Sequence, residues 1–257
     1  MLELSDVEVR FGGLKALDGL SLEVGVGEIV SLIGPNGAGK STAFNVITRI
    51  VHPQAGRVRF DDIDLLELPP HAIAGLGIGR TYQGLELFGS MTVGETLIVG
   101  YEAVERCGLL SGAIRSTRCT ALTESAHRAA REVARRLDLD GLWEQPVTAL
   151  PYGVQKRVDI GRALVGRPRL LLLDEPAAGL THSDLDELGD AISRIRSDLD
   201  VSVLLVEHHM PLVMSISDRV YVLDAGRLIA DGSPEEVRSN QRVIEAYLGV
   251  PVGEEHA

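Results

Sequence analysis

Ile29-Val30-Ser31-Leu32-Ile33-Gly34-Pro35-Asn36-Gly37-Ala38-Gly39-Lys40-Ser41-Thr42 decides how the rest of the chain is read. Its first five residues are nearly continuous apolar sequence, which fits a strand buried on both faces, as in a parallel sheet. The run stops at Gly34-x-x-x-x-Gly39-Lys40-Ser41, a phosphate-loop spacing, and an apolar segment follows with Phe44, Ile47 and Val51 at helical intervals. The order strand, loop, helix gives the spacing its meaning. Glycines let the backbone wrap closely around phosphate oxygens with N–H groups turned inward, and the helix beginning near Lys40 adds its positive dipole end. Lys40 would reach the β- and γ-phosphates, and the Ser41 hydroxyl would ligate Mg²⁺. A glycine-rich turn with an unrelated lysine would match the letters without the context.

A second buried run, Leu170-Leu171-Leu172-Leu173, ends in Asp174-Glu175-Pro176. A carboxylate there can hold a metal ion, so Asp174 is the candidate Mg²⁺ partner. Glu175 points the other way and could polarise a water toward the γ-phosphate. Acidic strand ends are common in parallel sheets. Beside a phosphate loop, this one supplies the metal holder and water-positioner that phosphoryl chemistry needs. Residues 201–206 and 220–223 read as further strands. Between 173 and 201, Leu185, Leu188, Ile192, Ile195 and Leu199 keep helical spacing. That order predicts a parallel sheet with crossover helices. His208 falls just past a strand's carboxyl end, where open α/β sheets bind ligands, and His209 and His182 compete for any histidine role. Gln83 follows Arg80-Thr81-Tyr82; taken singly, Gln83 and His208 read as surface residues.

The N-terminal thirty-odd residues alternate (Leu2/Leu4, Val7/Val9, Leu22/Val24), with turns at Gly12-Gly13 and residues 25–27. From about Glu86 to Leu150 strand signals thin out. Ala126, Ala129, Ala130, Val133, Ala134 and Leu137 mark one face of an amphipathic helix, and its Arg128, Arg131, Arg135 and Arg136 read as a solvated face. This region is expected to be a helical insertion, with Trp143 as a packing residue. Asp224-Ala225-Gly226-Arg227 is a turn before a short strand, 228–230. Ser233-Pro234-Glu235-Glu236 is a helix start, with Ser233 as cap and Glu236 closing the capping box.

Composition narrows the classes. The 257 residues allow one large domain or a core with a subdomain. The formal charge of −12 argues against a general nucleic-acid binder. No apolar run approaches the roughly 18 residues of a membrane span. Glu3, Asp6 and Glu8 leave no basic-then-apolar export signal. Cys107 and Cys119, with no CxxC, fit a reduced compartment better than a disulfide framework or structural zinc site.

These pieces, in this order, resemble the nucleotide-binding subunit of an ATP-binding-cassette (ABC) transporter over essentially the whole chain. More narrowly, the chain is similar to the LivG-type ATPases of branched-chain amino-acid importers. The phrases that carry this are Arg10-Phe11-Gly12-Gly13-Leu14-Lys15-Ala16-Leu17, Gly79-Arg80-Thr81-Tyr82-Gln83, Asp174-Glu175-Pro176-Ala177-Ala178-Gly179-Leu180, Val206-Glu207-His208 and Ile244-Glu245-Ala246-Tyr247-Leu248-Gly249. The resemblance implies an α/β fold: a P-loop NTPase (RecA-like) core with an N-terminal antiparallel β region and a helical subdomain. The implied division of this single ABC ATPase domain is core at 1–85 and 155–235, helical subdomain at 86–154 and helical tail at 236–257. It also implies that Phe11 stacks on adenine and that Gly34, Pro35, Asn36, Gly37, Ala38, Gly39, Lys40, Ser41 and Thr42 cradle ATP. Ser41, Gln83 and Asp174 would serve Mg²⁺, Glu175 would be the general base and His208 the γ-phosphate sensor. Tyr152 and Gly153 would cap the nucleotide of a second cassette, in a homo- or heterodimer. Transmembrane permease subunits would hold the pair at the cytoplasmic face of the membrane, and a solute-binding protein would act indirectly. No nucleic acid is expected as a partner.

Two departures stand out. The usual signature Leu-Ser-Gly-Gly-Gln is here Leu150-Pro151-Tyr152-Gly153-Val154, and the proline removes a hydroxyl donor and a backbone N–H. Thr181 stands where most cassettes carry Asp and close relatives Asn. In a heterodimer, the nucleotide held by this chain would be hydrolysed faster than the one it caps. Other readings are a cassette acting on nucleic acid or ribosomes, a small-molecule P-loop kinase, and a regulatory subunit with little turnover. Importer ATPases for urea, amides or another solute share several of the same phrases.

Overall fold

The computed structural model describes residues 1–85, 87–102 and 117–248. Cys107, Glu86 and the tail beyond Leu248 lie outside the described residues, as does the side chain of Cys119. In chain order the strands are β1 (Leu2–Phe11), β2 (Leu14–Val24), β3 (Ile29–Ile33), β4 (Ala55–Phe60), β5 (Ile63–Asp64), β6 (Ile78–Arg80), β7 (Leu170–Asp174), β8 (Ser202–Val206), β9 (Arg219–Asp224) and β10 (Arg227–Gly232). The helices are α1 (Lys40–Ile47), α2 (Val93–Glu102), α3 (Thr117–Arg136), α4 (Tyr152–Leu164), α5 (His182–Leu199), α6 (Met210–Ile216), α7 (Pro234–Ser239) and α8 (Gln241–Leu248). The described residues of Met1–Ile73 and Ile192–Ala257 form one compact unit, and those of Ala74–Ala191 another.

In the first unit an antiparallel sheet runs in the order β2-β1-β4-β5. Leu2, Leu4, Val7 and Val9 of β1 are all buried, although the step from Leu4 to Val7 breaks the period of two. A register shift there resolves the mismatch: Asp6 takes a left-handed conformation (φ 50) and its N–H donates to Ser21 Oγ at 2.9 Å. The second sheet of this unit is built on β3, all five residues buried, with β8 parallel on one side and β9 parallel on the other. Burial on both faces explains its unbroken apolar sequence. β10 returns antiparallel to β9 through a turn with Ala225 and Gly226 both at positive φ, as the turn sequence predicts, and runs two residues beyond the expected end. Ile33, Val213, Val220, Val222, Val237 and Val243 form a core that ties α6, α7 and α8 to this sheet. Ser233 and Glu236 make the expected capping box at the start of α7. α1 ends before Val51: Thr48 Oγ1 turns back on the Phe44 carbonyl at 2.9 Å, and Arg49 is left-handed at φ 64.

In the second unit β6 pairs parallel with β7, placing Arg80 opposite Leu172. Helices α2, α3 and α4 pack on one another. The stripe Ala126, Ala129, Ala130, Val133 and Ala134 of α3 is buried, with Leu137 just past its end. Arg131 stacks 3.8 Å from the Trp143 ring centroid and bonds Asp140, while Arg136 pairs with Glu132. Arg128 bonds the Ser125 hydroxyl and Arg135 the Arg131 carbonyl, so each arginine of this face has a local partner, and Trp143 is a packing residue. Strands β4, β5 and β6 went unforeseen; β5 and β6 have two and three residues, too few for periodicity to register. Among the described residues, no helix is long and apolar enough to cross a membrane.

Candidate nucleotide site

β3 delivers the chain to Gly34 and α1 carries it away from Gly39, and both positions demand glycine. Gly34 (φ 151) lies so close to β9 that a Cβ would fall 2.0 Å from the Leu223 carbonyl oxygen. At Gly39 (φ 107) a Cβ would fall 2.3 Å from the Ala16 carbonyl oxygen. Between them Asn36 and Gly37 are exposed, Pro35 is half-buried and Ala38 is buried. The Ala38 N–H donates to the Pro35 carbonyl, and the Gly226 N–H donates to the Ala38 carbonyl at 2.9 Å, lacing the loop to the β9–β10 turn. Gly39 is the N-cap of α1 and offers no side-chain bond, and no acidic residue occupies the first turn. No side chain therefore competes with an anion for the positive end of the helix dipole. Lys40 is 6% exposed; its Nζ donates to the Gly34 and Pro35 carbonyls at 2.7 and 2.8 Å, so the ammonium lies against the loop's own backbone. Ser41 is exposed and Thr42 half-buried on the first turn of α1.

Two further predicted residues belong to this unit. Phe11 ends β1 at the Gly12-Gly13 turn and is 52% exposed, an aromatic face open to a ligand. His208 follows β8 with its side chain 56% exposed. Glu207, fully buried, bends the chain there: its Oε2 accepts from the His208 and His209 N–H groups at 2.9 and 3.1 Å. The two competing histidines have other settings. His209 is spent as the N-cap of α6, its Nδ1 accepting from the Leu212 N–H at 3.3 Å, and His182 is an exposed residue at the start of α5.

The acidic strand end lies in the other unit. β7 buries Asp174, and Arg80 Nη2 reaches its Oδ2 at 3.1 Å. Thr81 Oγ1 accepts from the Asp174 N–H at 3.3 Å, and the Thr81 N–H donates to the Leu172 carbonyl at 3.0 Å. Glu175 is left-handed (φ 47), so the strand direction breaks there. Gln83 Nε2 donates to Glu175 Oε2 at 2.8 Å. Two of the predicted residues thus meet directly. Arg80 and Thr81, present in a quoted phrase but given no role from sequence, turn out to hold Asp174.

The altered signature forms the start of α4. Pro151 is its N-cap (φ −54, ψ 149), accepting from the Gln155 N–H at 3.0 Å and contributing no side-chain cap. The fold accommodates the proline without strain, because an N-cap needs neither its N–H nor a helical ψ. Tyr152 is 43% exposed, with Lys156 Nζ 5.7 Å from its ring centroid. Asp184 lies beside Gly153. Thr181 has a local use: its hydroxyl and N–H donate to Asp184 Oδ2 at 2.6 and 3.2 Å, and it accepts from the Asp184 N–H, a capping pair at the start of α5. Those two donors hold the Asp184 carboxyl below the usual range.

For Mg²⁺ the chemistry of the donors fits. Ser41 offers a hydroxyl, Asp174 a carboxylate, and Gln83 an amide oxygen not used in its bond to Glu175. These are hard oxygen donors. Among the described residues no group of three His, Cys, Asp or Glu side chains gathers as a dedicated metal cage. Few protein ligands are what a magnesium ion needs when phosphates supply most of its shell.

Comparison with known proteins agrees with the geometry. A family model described as ABC transporter matches residues 17–178, and one described as branched-chain amino acid ATP-binding cassette transporter matches residues 227–252. The high-affinity branched-chain amino acid transport ATP-binding protein BraF of Pseudomonas aeruginosa is 42% identical over 97% of this chain and 98% of its own. The corresponding LivG protein of Escherichia coli K12 is 43% identical over 97% and 98%. A crystal structure of an ATP-binding cassette of an ABC transporter in its ADP conformation superposes with a TM-score of 0.85 at 32% identity, covering 97% of this chain and 98% of that one.

Proposed function

We infer the function from one premise: this chain belongs to the ABC transporter family of ATP-binding subunits. It is an α/β P-loop ATPase whose hydrolysis of ATP is coupled to transport. The observation that carries the chemistry is the loop from Gly34 to Thr42, set between a doubly buried strand and a helix whose N-terminus has no side-chain cap.

The residue roles follow from what each group can do. Backbone N–H groups of the loop after Pro35 bind phosphate oxygens, and Lys40 exchanges its two carbonyl partners for the β- and γ-phosphates. Phe11 stacks on the adenine ring. Ser41, Asp174 and Gln83 hold Mg²⁺, which when bound neutralises charge on the phosphates. Glu175 takes the proton of the attacking water while Gln83 orients its carboxylate. His208 binds the γ-phosphate. Tyr152 and Gly153 cap the nucleotide of a second cassette. The helical insertion, 86–154, faces permease subunits, through which the chain is held at the cytoplasmic side of a membrane. The solute is a branched-chain amino acid, supported by the relatives' names at 42–43% identity. A solute-binding protein acts upstream of the permease.

Calorimetry with ATP and Mg²⁺ tests the core reading. The purified chain is expected to bind, and Lys40→Ala to lose affinity or turnover with its circular dichroism unchanged. A wild-type chain without affinity for adenine nucleotides overturns it. Pro151 supports one second reading, a regulatory subunit with little turnover, because the cap it offers lacks a hydroxyl donor. ATPase rates with and without the membrane subunits separate the two: an ATPase stimulated by its permease supports the first.

A further inference from the structure

Asp174 already has a cation. Its carboxylate and the Arg80 guanidinium are 5% and 8% exposed and 3.1 Å apart, an ion pair taken almost completely out of water. Taking either partner away from such a pair leaves the other as an uncompensated buried charge. Arg80 is held in place from several sides. It ends β6 opposite Leu172, the next residue Thr81 bonds both Leu172 and Asp174, and the guanidinium lies 4.7 Å from the centroid of the Tyr82 ring. Gln83 follows Tyr82 and bonds Glu175 at 2.8 Å. One continuous set of contacts within a single unit therefore runs from Asp174 through Arg80 and Tyr82 to Gln83 and Glu175. Its starting carboxylate is the one assigned to the metal.

Resting on the functional reading above, we propose that Arg80 is a positioning residue that keeps the place of the metal ion. It neutralises Asp174 while no metal is present. When Mg²⁺ arrives with the nucleotide, the carboxylate is shared with a second, stronger cation, and the Arg80–Asp174 contact loosens. Because the guanidinium is stacked on Tyr82, that loosening moves the segment carrying Gln83 relative to Glu175. Metal occupancy and the position of the water-orienting amide become two readings of one equilibrium, each biasing the other equally. Arginine suits this task and lysine does not: its planar group pairs with the carboxylate and stacks on the ring at once.

The test is ADP binding by calorimetry, in EDTA and in Mg²⁺, so that no turnover is needed. The readout is the factor by which Mg²⁺ tightens ADP. Removing the competing cation in Arg80→Met is expected to raise that factor roughly tenfold, within the range of known site-to-site couplings, while lowering the melting temperature without nucleotide. A merely structural strut would lower the melting temperature and leave the factor unchanged or smaller, and that result overturns the proposal. If Arg80→Met does not fold, Arg80→Lys decides. It keeps the charge but not the stacking, so the factor should stay near the wild-type value while the Mg²⁺-dependent change in amide exchange of residues 81–85 is lost; an exchange response equal to the wild type's overturns the proposal. Amide exchange of residues 81–85 gives the second readout: in the wild type it should change when Mg²⁺ is added to the ADP complex, and in the variant it should not. A wild-type chain that binds no ADP overturns the functional reading itself. One that binds ADP equally with and without Mg²⁺ overturns only the present inference.

Discussion

At Glu175 two demands meet in one residue. Its backbone is left-handed where β7 ends, and its carboxylate accepts from the Gln83 amide. Glu175→Gln keeps the size and removes the base, so single-turnover ATP hydrolysis should fall by about 10²–10⁴, the usual contribution of general acid–base catalysis, while ATP affinity stays within a few-fold. Tyr247 gives a pH signature of the folded C-terminal helix. Burial pushes its phenol up to about 12 from the ordinary 10, with the Gly34 backbone N–H pulling slightly the other way. A raised folded-state pKa means that the native state holds its proton longer than the unfolded chain does. The associated stability is complete below pH 10 and declines toward pH 12. Melting temperatures across that window should fall less steeply in Tyr247→Phe than in the wild type.

At the scale of elements, helix starts explain much of what the sequence left ambiguous. Thr181 departs from the family pattern, yet it caps α5 through Asp184. Thr181→Ala should cost about 1 kcal/mol of stability, as losing an N-cap does, measured by urea denaturation at neutral pH. The same substitution returns the Asp184 carboxyl toward its ordinary range. A depressed carboxyl pKa contributes stability that is present above the unfolded value and lost as pH falls through the folded one, so the variant should show a weaker acid limb. β3, β7 and β8 were legible because burial on both faces leaves only apolar residues. β5 and β6 were not, since runs of two or three residues carry no period and depend on partners distant in sequence. Ser233 and Glu236 were legible because a capping box is closed within four residues. The part played by Arg80 was hidden, because its partner is 94 positions away. The capping role of His209 needed the structure too, since only the fold reveals its bond to the Leu212 N–H.

At the scale of the whole molecule, the departures matter where two cassettes meet. Pro151 offers no hydroxyl at the start of α4, so under the proposed capping role one donor to the partner's nucleotide is missing. Losing a single donor to a developing charge commonly costs about 10²–10³ in rate. Pro151→Ser in a reconstituted dimer should therefore raise hydrolysis at the partner's nucleotide and leave this chain's own site unchanged, as read by single-turnover assays with Glu175→Gln and its counterpart introduced separately.

The bond from the Gly226 N–H to the Ala38 carbonyl has a wider meaning. Surface hairpins usually accept an extra residue with little harm. Here the bend between 224 and 227 is bonded to the phosphate loop from behind, and the Asp18 N–H donates to the Gly226 carbonyl from the other side. Lengthening that bend by one residue would change little in the sheet, but it would unseat the cradle from behind. The tolerance one reads from exposure alone fails where a loop on the outside is the foundation of a loop on the inside.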